Sequence, residues 1–218
     1  MASYAFLSYQ TADKHIAGRL KEVLAEVGIK SFLAHEDIDV SEEWRLKILE
    51  EIAKVDIFIC LLSQNYAKSA WCVQESGIAA FRYGLPVVPL SLDGSIPRGF
   101  ISHIQSVKVD PDEISLDTLM PAFLRHDFPV AIGILIEQLG KSGNFRTAET
   151  RFEKILPHIP NMTDDQVKAL LERAAGNDQV HHASLCARTY IPELLKSHGR
   201  FLKRETRTVL KEICARYA

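Results

Sequence analysis

The chain lacks the residue spacings that announce a metal or redox centre. Its four cysteines, Cys60, Cys72, Cys186 and Cys214, form no Cys-x-x-Cys pair. Neither a zinc site nor a dithiol motif is indicated, and reduced thiols are expected. His181 and His182 are adjacent, so on a helix they face different directions, whereas helical metal pairs want i,i+4 spacing. No metal site is expected. No glycine-rich loop of Walker type occurs, which excludes a nucleoside triphosphatase by motif. No apolar run is long enough to span a bilayer, and MASYAFLSYQ has no basic segment leading into a long apolar one. No membrane span and no signal peptide are expected, and the cytoplasm is the expected location. Charge of one sign is also missing: 26 Lys and Arg stand against 28 Asp and Glu, with a pI near 6.4. That balance offers no electrostatic reason to expect nucleic acid as a partner. The C-terminal stretch KSHGRFLKRETRTVLKEICARYA is more basic and reads as a solvated helix face.

What is present is an ordinary globular composition, 47% hydrophobic and 25% charged, able to bury a core. The first half alternates strand and helix signals. YAFLSY reads as a strand. Ile16, Leu20, Val23, Leu24 and Val27 then recur at helical spacing, and Gly28 stops the helix. IKSFLA is a second strand and HEDIDV a charged loop. Ser41 is placed to cap the next helix, with Glu42 and Glu43 at its positive end. DIFICLLS is almost continuously apolar, as a central parallel strand buried on both faces must be. LPVVPLSL and IQSVKV complete five strands. The alternation predicts a flavodoxin-like α/β domain, a five-stranded parallel sheet flanked by helices, over residues 1–125. Beyond about Asp110 no strong strand signal remains. Residues 126–218 read as a small all-helical C-terminal domain of four or five helices, with Thr163 and Gln166 spaced as a capping box.

In open α/β sheets, ligands bind beyond the carboxyl ends of the strands, where the strand order reverses. Here that edge gathers Ser8, Tyr9 and Gln10 after strand one, residues 34–40 after strand two, and Ser63 and Asn65 after strand three. The helix that follows, Ala70 to Phe81, holds one charged residue, Glu75. Trp71 and Glu75 are i and i+4 on one helix face. A carboxylate beside an aromatic wall has its pKa raised by desolvation or is reserved for a cationic or hydroxyl-rich ligand. The competing reading makes Glu75 an exposed helix residue and Trp71 a core anchor.

Four segments in this order, YAFLSYQTAD, FLAHEDIDVSEEW, LLSQNYAKSAWCVQE and GLPVVPL, together resemble a Toll/interleukin-1 receptor (TIR) domain of the bacterial kind. The resemblance covers roughly residues 1–125, and the loop running into SEEW is similar to TIR components of Thoeris-type antiphage defence. Many bacterial TIR domains cleave the nicotinamide–ribose bond of NAD+. The resemblance therefore implies an NAD+ glycohydrolase or ADP-ribosyl cyclase. NAD+ would be a substrate rather than a cofactor, and Glu75 the catalytic residue. It further implies that Ser8, Tyr9, Gln10 and Trp71 position the substrate. Glu36, Asp37 and Trp44 fall in a loop and helix that resemble a lid or partner contact. Core packing is the expected role for Trp44, and a small buried hydrophobe for Cys72. Where some enzymatic relatives have basic residues after the Ser-Tyr pair, this chain has Gln10 and Thr11. A homo-oligomer formed through TIR domains is expected, with the helical domain open to a protein activator. The alternative is a non-catalytic adaptor acting by TIR–TIR self-association. A phosphoacceptor receiver domain shares the sheet order but needs acidic strand ends. Strands one and three end instead in Leu7-Ser8-Tyr9 and Leu61-Leu62-Ser63.

Overall fold

The computed structural model describes residues 3–34 and 44–217. Ser41 to Glu43, and with them the expected cap, lie outside the described residues. The chain divides into two compact units, Met1–Val130 and Ala131–Ala218.

In the first unit the apolar runs become β1 (Tyr4–Ser8), β2 (Lys30–Leu33), β3 (Ile57–Leu62), β4 (Val87–Ser91) and β5 (Val107–Lys108). They form one parallel sheet in the order β2-β1-β3-β4-β5. Every residue of β3 is buried, as its unbroken hydrophobicity requires for the central position. Between the strands lie α1 (Lys14–Ala25), α2 (Trp44–Lys54), α3 (Gln64–Lys68) and α4 (Ala70–Phe81), and α5 (Leu116–His126) follows β5. The turn from α1 to β2 needs a left-handed residue, supplied by Gly28 at φ 80°.

Strand alternation sends Phe6, Phe32 and Phe58 to the same face of the sheet. Their rings stack there, with Phe6 5.3 Å from each of the other two. Ile48 and Ile52 of α2 and Cys72 and Ala79 of α4 belong to the same cluster. Arg82, just past α4, donates to the carbonyl oxygens of Ile52 and Val55 and ties the end of α4 to the end of α2. The same alternation continues along β1 to Ser8, which therefore looks at α4.

The second unit is helical and richer than expected. To α6 (Phe128–Gly140), whose first residues belong to the first unit, it adds α7 (Phe145–Ile155), α8 (Asp164–Ala175), α9 (Asp178–His181), α10 (Ile191–His198) and α11 (Arg204–Ala215). A π-helical turn, Cys186–Tyr190, leads into α10. The extra helix is α9, a single turn capped by Asn177, too short to leave a periodic signature. The capping box at Thr163 and Gln166 is formed, with both reciprocal hydrogen bonds present. The two adjacent histidines do not diverge. Because α9 ends at His181, the rings of His181 and His182 meet edge-on at 4.6 Å. No helix among the described residues is long and apolar enough to cross a membrane.

Candidate active site

The strand order reverses between β1 and β3, and the carboxyl ends of these two strands converge on α3 and α4. Ser63, the residue after β3, accepts from the backbone N–H of Tyr66 at 3.0 Å and so caps α3. Its own hydroxyl proton goes to Asp13 Oδ2 at 2.7 Å, in the turn after β1. Ser69 then caps α4, accepting from Cys72 N–H at 3.3 Å. Two successive caps six residues apart break the chain between α3 and α4, and this sets the direction of α4 over the sheet edge.

The buried stripe of α4 is Cys72, Glu75, Ser76 and Ala79. Glu75 is 1% exposed, which overturns the reading of it as a surface residue. Trp71, by contrast, is 45% exposed and is not a core anchor. One position earlier than Cys72, it sits at the border of the stripe. Ser8 Oγ donates to Glu75 Oε2 at 2.5 Å, a short charge-assisted bond. Glu75 Oε1 is buried and has no hydrogen-bond partner among the described residues. Burial pushes the Glu75 carboxyl up from 4.5 to about 7, and the Ser8 hydrogen bond only partly opposes this.

Another buried carboxylate of the unit, Glu51 on α2, makes the contrast plain. It accepts from Tyr4 OH at 2.6 Å and pairs with Lys54 at 3.1 Å. Burial opposes its ionisation, but these partners outweigh burial and hold it below the ordinary carboxylate range. Glu51 is satisfied and structural. Among the described residues Glu75 keeps one oxygen in reserve and has no cation that shifts it, and a perturbed, incompletely partnered carboxylate at a sheet edge is a candidate reactive group.

Behind Glu75 lies a set of hydroxyls of which only Ser8 was expected from the sequence. Ser8 Oγ is 2.9 Å from Tyr66 OH, and Tyr66 OH is 2.7 Å from Ser76 Oγ. Ser76 Oγ also reaches the Cys72 carbonyl at 3.0 Å, and Tyr66 OH reaches it at 3.2 Å. Neither Tyr66 nor Ser76 carries a sequence signal that sets it apart, because their meeting depends on tertiary contacts between α3, α4 and β1. A small pocket of about 20 Å³ beside Ser63, Tyr66 and Ser76 has room for a single water.

The other anticipated residues fall in different places. The Tyr9 side chain is fully buried rather than open to the edge. What Tyr9 brings to the site is its backbone carbonyl, which accepts from Cys72 Sγ at 3.4 Å. The Gln10 side chain is spent on its own loop, with Oε1 accepting from Ala12 N–H at 2.6 Å. Trp44, the first described residue of α2, is 37% exposed, so it is not the core residue expected from its helical position. Glu36 and Asp37 lie outside the described residues. Cys72 is fully buried and its thiol is pushed up to about 12, chiefly by burial, which suits a small hydrophobe and not a nucleophile. Among the described residues no group of three or more His, Cys, Asp and Glu side chains is placed to hold a metal ion.

Two solved structures are similar to this chain. One is the TIR domain of the Toll-related receptor TRR-2 from Hydra magnipapillata, at 19% identity and a TM-score of 0.46, covering 58% of this chain and 96% of that one. The other is the TIR domains of the activated Roq1 resistosome recognising the effector XopQ, at 18% identity and a TM-score of 0.38, covering 78% of this chain and 96% of that one. No curated protein matches the chain. The sequence pattern of the TIR domain family matches residues 5–120, more than half of the 218 residues and all five strands of the sheet. The chain belongs to the TIR domain family.

Proposed function

We propose that this protein cleaves the nicotinamide–ribose bond of NAD+ with Glu75 as its catalytic carboxyl group. The TIR family includes both NAD+-cleaving enzymes and scaffolds. The observation that favours catalysis here is Glu75 itself: buried at the reversal point of the sheet, held through one oxygen by Ser8, and free of a partner among the described residues at the other. A purely structural carboxylate at such depth is normally satisfied, as Glu51 is.

The chemistry suits a single carboxyl group. When the C1′–N bond breaks, its electron pair leaves with nicotinamide, which departs as a neutral base and needs little acid help. The ribosyl carbon is left oxocarbenium-like. A fixed carboxylate stabilises that charge and accepts a hydrogen bond from a ribose hydroxyl. A water or hydroxyl oxygen then bonds to the carbon, and its proton passes to a base or to solvent. The half-exposed Trp71 offers an aromatic surface on which a base or nicotinamide ring can stack. The loop after β1 carries no basic side chain, so pyrophosphate contacts from Gln10 and Thr11 are not part of this reading. In full, the proposal is an ADP-ribose-derived signalling nucleotide, cyclic or conjugated, made in bacterial antiphage defence. The helical domain is proposed to receive a protein activator. The test is incubation with NAD+ and mass spectrometry of the products, wild type against Glu75→Gln. Nicotinamide release lost in the variant is the expected result. No release from folded wild type under any trigger overturns the proposal.

One observation favours the second reading, an adaptor that works by self-association. Phe81 at the end of α4, Tyr83 just after it and Phe100 in the turn Gly99–Ile101 are almost fully exposed around a groove of about 450 Å³. At 150–250 Å² per ring these three side chains supply roughly 600 Å², most of the ~800 Å² per partner that a second copy of the chain would bury in a stable dimer. Under that reading Phe81→Glu abolishes a dimer measured by analytical ultracentrifugation, while Glu75→Gln leaves both the dimer and signalling intact. Self-association is common to both readings, and the response of signalling to Glu75→Gln separates them.

A further inference from the structure

We propose that Tyr66 and Ser76 are positioning residues for Glu75. Together with Ser8 they form a chain of hydroxyls whose direction reverses with the protonation of the carboxyl group, so that Glu75 keeps one geometry in its charged and its neutral form. The catalytic half of this inference rests on Glu75 acting in the reaction proposed above. The hydrogen-bonding half does not.

Each hydroxyl has one proton to give, and Tyr66 has two acceptors for it, Ser8 Oγ at 2.9 Å and the Cys72 carbonyl at 3.2 Å, of which Ser8 is the nearer. With Glu75 ionised, Ser8 gives its proton to Oε2 at 2.5 Å. Its oxygen then accepts from Tyr66 OH at 2.9 Å, and the Tyr66 oxygen in turn accepts from Ser76 Oγ–H at 2.7 Å. All three donors point toward the carboxylate, and each bond polarises the next. With Oε2 protonated, Glu75 becomes the donor. Ser8 then gives its proton to Tyr66 and Tyr66 gives to Ser76, while Ser76 turns to the Cys72 carbonyl at 3.0 Å. The reversed chain needs a terminus that only accepts, and a backbone carbonyl is one. Every proton stays on its own oxygen in this step. The hydroxyls only rotate about their C–O bonds, and no heavy atom has to move.

The surroundings make the chain consequential. Ser8, Tyr66 and Ser76 are all buried, so a hydroxyl left without a partner would cost free energy in either state. Of the groups near the chain, Cys60 on β3 and Cys72 on α4 are both pushed up to about 12 by burial and stay neutral. Tyr66 is itself pushed well above its ordinary range by burial. Asp13, in the turn after β1, is after Glu75 the second acidic neighbour that Cys72 senses, and it accepts from Ser63. Burial and the Ser8 hydrogen bond set the titration of Glu75, with no contribution from a lysine or arginine. The hydroxyl chain is thus the lever through which the fold can favour one protonation state over the other, while Oε1 stays without a partner among the described residues in both.

The test reads Glu75 directly. Difference infrared spectroscopy of the full chain follows the carbonyl stretch of the protonated carboxyl group through its titration, the band being assigned by its loss in Glu75→Gln. Tyr66→Phe keeps the ring and removes the link to Ser8, and Ser76→Ala removes the last donor. The ionised form loses polarised donors in each, so the midpoint rises, by roughly 0.5–1 pH unit in Tyr66→Phe and less in Ser76→Ala. Turnover of NAD+ falls about tenfold in Tyr66→Phe with KM nearly unchanged, the worth of one hydrogen bond. Should Tyr66→Phe fail to fold, Ser76→Ala carries the same sign. A midpoint unmoved in both folded variants, while Ser8→Ala raises it, overturns the inference. A shifted midpoint in a protein that never cleaves NAD+ supports the hydroxyl chain and overturns the proposed reaction instead.

Discussion

Replacing Glu75 with glutamine should change stability in a way that depends on pH, and the sign can be worked out. The folded protein raises the Glu75 carboxyl from 4.5 to about 7. The native state therefore binds the proton more tightly than the unfolded chain does. Its contribution is fully present below about pH 4.5 and is lost as the pH rises through about 7. Since 7 − 4.5 is 2.5, the loss is about 3 kcal/mol. Solvent screening is slight for a side chain 1% exposed, so little discount is needed. Glutamine keeps the shape and can still accept from Ser8. It places an amide nitrogen where Oε1 lacks a partner, a constant cost of about 1–2 kcal/mol at any pH. The variant should thus be slightly less stable than wild type in acid and more stable at about pH 8. The difference between the two proteins changes by about 3 kcal/mol across the range, roughly 6–12 °C in Tm. Urea unfolding followed by tryptophan fluorescence is the assay, because both tryptophans, Trp44 and Trp71, lie in the first unit and report on it alone. Other titrating groups are common to both proteins and cancel in the difference. A stability difference that stays constant with pH, or that favours wild type more as pH rises, refutes the reasoning.

Three further outcomes follow from the same geometry. Ser8→Ala removes the donor to Glu75 Oε2, so the carboxyl midpoint should rise and NAD+ turnover should fall by at least about tenfold, read by steady-state kinetics across pH. Ser63→Ala deletes the cap of α3 and the bond to Asp13, and should cost about 1 kcal/mol in urea unfolding. Gly28→Ala meets no neighbouring atom but forces a side chain at φ 80°, so about 1–2 kcal/mol of destabilisation is expected from backbone strain alone.

The strands were legible because the central sheet of a doubly wound fold imposes an unusual pattern. The strand Ile57–Leu62, IFICLL, has to be apolar throughout, and it is buried throughout. The capping box at Thr163 was legible for a similar reason, since both partners are three residues apart and need no tertiary contact. The helical unit was read less well. Its one-turn helix α9 and the π-helical turn at Cys186 are held by side chains distant in sequence, such as Glu149, which accepts from Leu185 N–H at 2.9 Å. No local periodicity encodes such a bond. Among the expected site residues, Ser8 and Glu75 meet. Tyr9 and Gln10, next to Ser8 in the chain, turn to other tasks.

Sequence alone determined that Glu75 would stand out, because a single carboxylate on an otherwise uncharged helix after the central strand is visible by inspection. It also determined the sheet edge at which that helix begins, through strand order and crossover handedness. It did not determine which way the helix would turn. Trp71 and Glu75 are one turn apart and were expected to share an environment, yet one is half-exposed and the other is buried. Rotation of a helix about its own axis is set by what it packs against, and here Ser8 and Tyr66 offer hydrogen bonds only to the face that carries Glu75 and Ser76. Burial of Glu75, the raised carboxyl pKa that comes with it and the hydroxyl chain behind it all follow from that rotation, and only the tertiary structure decided them.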